Sequence, residues 1–186
     1  MNRIFRRGKG VKVSDGTMVF PFLNPTDSSN ELPVGLFDGV SIAQGDIDPR
    51  QCSKIQTHPL VTVFVWVVGG RLNLKMKDPG GADAYVLDLG AEQAAVALPG
   101  TFFQLINTTD ELCRVLYIVS PPYVYMQDSG ASPVYDDAIV FDIDWDDLAA
   151  QAWRPNAVPD YASMRAARTA AIEQLANRKG RAKHAD

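Results

Sequence analysis

The side chain with the widest chemical repertoire near neutral pH in this sequence is His58, because an imidazole can give or take a proton there. Only one other histidine exists, His184, in the basic tail RKGRAKHAD, which reads as frayed. Gln56 stands two residues before His58 and offers an amide that orients a substrate carbonyl or hydroxyl. Lys54 has the same parity and suits an acidic substrate. Side chains two apart on a strand share a face, so Gln56 and His58 are expected to look one way; with that way taken as the barrel interior, Val61, Val63, Val65 and Val67 are expected to line it too. Phe64, Trp66 and Val68 then look the other way, under a helix, an N-terminal strand or a partner subunit.

Other reactive types read more simply. Cys52 and Cys113 have no neighbouring basic motif of the kind that lowers a thiol pKa, and are expected to be structural. Tyr117, Tyr123 and Tyr125 are candidates to bring phenols to the mouth of a pocket. The aspartates 136, 137, 142, 144, 146 and 147 lack the glycine and terminal glutamate of a calcium loop, so helix-start and surface charge are expected. Arg3, Arg6, Arg7, Lys9 and Lys12 read as a solvated basic arm.

Short strands must position these groups. Runs at Thr17–Phe22, Gly39–Ala43, Leu60–Val68, Arg71–Met76, Ala84–Leu89, Ala94–Leu98, Phe102–Ile106 and Cys113–Val119 are separated by turn signals such as Gly69-Gly70 and Asp78-Pro79-Gly80-Gly81. Such spacing belongs to an antiparallel sandwich or barrel. After Pro122 the composition changes. A helix is expected at Asp146–Trp153, and a second, capped by Asp160, over Tyr161–Arg178 with Ala162, Arg165, Ala166, Thr169, Ile172, Leu175 and Ala176 near one stripe. The chain thus divides into a β-barrel with an N-terminal arm over 1–135 and an acidic, helical extension over 136–186.

Composition sets the outer bounds. The 186 residues carry 46% hydrophobic and 22% charged side chains, ordinary for a globular protein and enough to fold without disulfide or metal. A net charge of −4 argues against nucleic acid, whose binding rests on phosphate neutralisation. The longest apolar run, Val63 to Val68, is far below a membrane span, and two cysteines leave a reducing cytoplasm as the expected compartment.

Two segments resemble the signature of the cupin family, small jelly-roll barrels. Its first motif is a His-x-His pair followed by Glu and then Gly; the matching places hold Gln56, His58, Val63 and Gly70. The second, Pro-x-Gly-x-x-His-x-x-x-Asn, aligns with Leu98 to Asn107, keeping Gly100 and Asn107 and placing Phe103 at the histidine. The resemblance covers about residues 40–122, with 115–122 as a closing strand. It implies an all-β, double-stranded β-helix, a cupin-type antiparallel barrel, with C-terminal α-helices.

The resemblance also implies a divalent metal at the three motif histidines and the glutamate. Val and Phe cannot ligate and an amide is a weak ligand, so neither metal nor other cofactor is expected. An apolar cup remains, the profile of a small-molecule pocket. The expected roles are His58 for proton transfer and Gln56 for orientation, with Lys54, Val63, Val65, Phe103, Leu105 and Tyr117 contacting the substrate. The corresponding activity is a metal-independent isomerase or epimerase, cyclase or lyase of small-molecule, including secondary, metabolism. The alternatives are a non-catalytic ligand-binding or accessory cupin and, behind both, a metal-dependent dioxygenase. The family's habit of pairing and the outward Phe64 and Trp66 imply a homodimer.

Overall fold

A computed structural model describes residues 6–26, 39–81, 83–127, 133–149 and 159–182. Among the described residues, thirteen strands and two helices follow in order. The strands are β1 (Val11–Lys12), β2 (Met18–Leu23), β3 (Ser41–Ile47), β4 (Ile55–Thr57), β5 (Thr62–Gly69), β6 (Arg71–Lys77) and β7 (Tyr85–Gly90). Then come β8 (Ala94–Ala97), β9 (Phe102–Ile106), β10 (Cys113–Ser120), β11 (Tyr125–Gln127), β12 (Pro133–Asp136) and β13 (Ile139–Phe141). The helices are α1 (Trp145–Ala149) and α2 (Tyr161–Ala182).

Two antiparallel sheets face each other, ordered β1-β2-β3-β10-β5-β8 and β13-β4-β9-β6-β7, with β11 and β12 paired separately. Alternation along β5 determines what lies between them. Val63, Val65 and Val67 are buried, while Trp66 and Val68 are 39% and 52% exposed. The inward valines meet Leu72, Leu74 and Met76 from β6 and Phe103 and Leu105 from β9 in one core. Apolar side chains on both inner faces of such a sandwich supply the main driving force for the fold.

The motif residues that survive are structural. Gly70 sits at φ 84°, and a Cβ there would lie 2.8 Å from the Leu112 carbonyl oxygen, so no other residue fits without moving backbone. The buried Asn107 amide donates to the carbonyls of Ile47, Asp48 and Glu111 at 3.1, 3.1 and 2.7 Å. Its side-chain oxygen accepts from the Thr109 amide at 3.0 Å, which ties the turn after β9.

The C-terminal portion differs from the expectation in three ways. The division at residue 136 falls inside packed structure: β12 ends there, and β13 pairs with β4 in the barrel sheet. Asp136 and Asp137 are not surface charge, since Asp137 is fully buried and Asp136 is half-buried against Tyr123 and Ser14. Asp144 does cap a helix, accepting from the Asp147 amide at 2.8 Å, but α1 starts at Trp145, and residues 150–158 lie outside the described set.

Asp160 caps α2 as expected, accepting from the Ser163 amide at 3.0 Å. The covered stripe, however, is Met164, Arg168, Ala171 and Leu175, with Ile172 on the exposed side. An alanine-rich helix has too weak an apolar face to choose its own rotation. The buried ion pair Arg168–Asp137, 3.1 Å, chooses it instead.

Candidate functional site

Between the two sheets lies a cavity of about 370 Å³. It begins where the solid core ends. On β5 and β10 the register sets Val63 opposite Val119 and Val65 opposite Tyr117. Val63, Tyr117 and Val119 line the cavity, whereas Val65 and Leu105, both expected to contact substrate, belong to the packed core beneath it. Parity settled which face they occupy; depth along the barrel axis is a property of the closed sheet. Lys54 is a second correction. It is exposed, ion-paired to Asp142 at 3.2 Å, and absent from the cavity wall, one residue before β4 begins at Ile55.

The pairing of β4 with β9 puts Gln56 opposite Phe103, so the strands carrying the two motifs run side by side. Gln56, His58, Val63 and Phe103 all reach the cavity. The His58 ring stacks on Phe103 at 5.3 Å between centroids and leans on Tyr123 at 5.6 Å. Just 8% of His58 is exposed. Burial lowers its pKa to about 4, so the imidazole is neutral at pH 7.

A residue that sequence reasoning passed over organises this end of the barrel. The turn Val13–Thr17 between β1 and β2 is closed by a Gly16 amide to Val13 carbonyl bond of 3.0 Å, with Gly16 at φ 93°. It tucks Asp15 inward to 4% exposure. Asp15 accepts from the Thr17 amide at 2.9 Å, the Thr17 hydroxyl at 2.8 Å and Gln56 Nε2 at 2.7 Å. With its amide nitrogen turned to Asp15, Gln56 presents Oε1 to His58 Nε2 at 3.3 Å. An amide oxygen only accepts, so the arrangement assigns the proton to Nε2 and leaves Nδ1 with a lone pair. His58 Nδ1 and Tyr117 Oη are buried with no hydrogen-bond partner among the described residues. The Ser14-Asp15-Gly16 sequence between apolar strands signals a hairpin, but the contact spanning 41 positions has no local signature.

A second polar group faces the same cavity. Tyr123 Oη donates to Asp136 through a short bond, and Asp136 also accepts from the Ala138 amide at 3.0 Å and the Ser14 hydroxyl at 3.3 Å. Desolvation raises the pKa of Asp136 and pushes Tyr117 and Tyr123 well above the usual phenol value, keeping both phenols protonated. Tyr125 and, from α2, Leu175 and Arg178 complete the wall. Burial pushes the Cys113 thiol up to about 11 and raises that of Cys52, which disfavours the reactive thiolate in both.

The donor set does not fit a metal. The places that hold the cation in cupins carry a ring stacked on His58, an amide committed to Asp15 and His58, and Val63. No group of three or more His, Cys, Asp or Glu side chains is placed to hold a metal ion among the described residues. His184 lies outside them. No helix among the described residues is long and apolar enough to cross a membrane.

No protein-family model matches the chain, and no curated protein matches its sequence. Solved structures do. The oxalate decarboxylase of Lactobacillus farciminis, solved as a formate complex, superposes with a TM-score of 0.52 at 17% identity over 77% of this chain and 36% of that one. The Drosophila melanogaster CENP-C cupin domain gives 0.49 at 14% identity over 60% and 70%. KdgF from Halomonas sp. gives 0.49 at 14% identity over 65% and 94%. Two facing antiparallel sheets, motif strands paired in register and the superposition on the decarboxylase establish that this chain has the cupin fold, a double-stranded β-helix with helices at its C-terminal end.

Proposed function

We propose that this chain binds a small molecule inside its barrel and recognises it through a neutral His58. The observation that carries the reading is the cavity of about 370 Å³ with an imidazole on its wall whose Nδ1 has no hydrogen-bond partner among the described residues. That volume lies within the range of small-molecule sites, and an unsatisfied buried polar atom costs roughly 1–3 kcal/mol. A hydrogen-bonding ligand recovers that cost. The test is titration with the neutral fluorophore 1-aminoanthracene. Saturable binding at one site per chain is expected, lost in Val63→Trp, which fills the cavity from the core side. Leu175→Trp fills it from α2 without touching the barrel core. Binding that ignores both substitutions refutes the proposal.

Proton transfer of the isomerase, cyclase or lyase kind is the second reading. The Asp15–Gln56–His58 chain favours it, because a fixed tautomer leaves Nδ1 as a base. A pKa of about 4 stands against it, since general bases work best near the operating pH. On this reading His58→Ala lowers turnover by roughly 100–10,000-fold, whereas on the first it weakens binding alone. The proposal includes a cytoplasmic site of action, which two free cysteines suit. It also includes pairing of two copies across the face where Trp66, Val68, Val96 and Leu98 stand exposed. A monomer mass in light scattering at micromolar concentration would remove that part.

A further inference from the structure

We infer that the ligand of this cavity is a largely apolar molecule bearing a hydroxyl group, and that the site rejects carboxylates of the same shape. This rests on the reading of the barrel as a small-molecule site, and it adds the chemical class of what is bound.

The wall is mostly hydrocarbon: Val11, Val13, Val19 and Leu23 come from the N-terminal strands, and Val63 and Phe103 from the barrel. Against it stand few polar groups. Asp15 uses its oxygens on Thr17 and Gln56, and Asp136 on Tyr123, Ser14 and the Ala138 amide, all neutral donors. An anion would meet those same carboxyl groups and a neutral imidazole. The only basic side chain among the described lining residues is Arg178, which is exposed and donates to the Gln127 carbonyl at 3.4 Å. A buried charge without a counter-charge is strongly disfavoured.

Hydrogen-bond polarity narrows the class further. His58 Nδ1 accepts, because Gln56 holds the proton on Nε2, and Tyr117 carries a phenol proton held on by burial. Both atoms lack a partner among the described residues. A hydroxyl donates to an imidazole nitrogen and accepts from a phenol. A carboxylate has no proton to donate.

The experiment displaces 1-aminoanthracene at pH 7.5 with two isosteres, 2-naphthylmethanol and 2-naphthoate. The alcohol is expected to compete at a concentration at least tenfold lower than the carboxylate, and His58→Phe should erase most of that preference. Equal competition by the carboxylate overturns the inference while leaving the small-molecule site standing. Failure of the fluorophore to bind, or binding that survives both Val63→Trp and Leu175→Trp, overturns the site and the inference together.

Discussion

Acid should destabilise this protein through His58 in a measurable way. Folding holds the imidazole at a pKa of about 4, against about 6.5 in the unfolded chain, because burial disfavours the cation. Between those values the unfolded state binds a proton that the native state refuses, so stability present above pH 6.5 is lost as pH falls. The loss reaches about 2 kcal/mol at pH 5 and about 3 kcal/mol at pH 4, taking 1.36 kcal/mol per unit of pKa difference. Asp136 and Asp137, with pKa values raised by burial, titrate in the opposite sense. The comparison is therefore between wild type and His58→Gln, each unfolded with urea at pH 7, 5 and 4. His58→Gln keeps the neighbouring carboxyl groups and removes only the imidazole. Wild type should lose about 2–3 kcal/mol more than the variant across that window. Parallel profiles, within about 0.5 kcal/mol, would mean that His58 takes up its proton freely in the fold and that its burial is wrong.

Asp15→Asn replaces the acceptor facing Gln56 Nε2 with a donor, so the Gln56 amide should turn over and offer its NH2 to His58 Nε2. The imidazole proton then moves to Nδ1, which nitrogen-15 NMR of the ring reads directly; an unchanged tautomer refutes the chain. Arg168→Met leaves Asp137 buried without its cation, a change worth about 3 kcal/mol and hence a Tm lower by roughly 6–12 °C at this chain length. Adding Asp137→Asn should recover part of the loss, and an additive double variant would contradict the pairing. At Gly45 a Cβ would lie 2.5 Å from Tyr117 Cε2, so Gly45→Ala should cost about 1–3 kcal/mol in urea unfolding. Most of that cost should vanish in a Tyr117→Ala background; a cost independent of Tyr117 would show that the ring does not lie over the glycine.

What the sequence determined by itself was local and periodic. Alternation from Val61 to Val68 assigned inner and outer faces correctly, with Val63, Val65 and Val67 buried and Trp66 and Val68 exposed. Turn residues bracketed most of the barrel strands to within a few positions, since Gly and Pro act on their own backbone. The motif positions Gln56, His58, Val63 and Phe103 converge on one cavity because strand pairing carries local register into space. Only the tertiary structure decided depth, partners and rotation. Val65 and Leu105 share a parity with the wall yet sit in the core, because alternation counts faces and not distance along the barrel. Asp15 and Asp136 reach the site through contacts with Gln56 and Ser14 that leave no trace in neighbouring residues. The face of α2 was set by one buried ion pair, which an alanine-rich helix lacks the apolar surface to overrule.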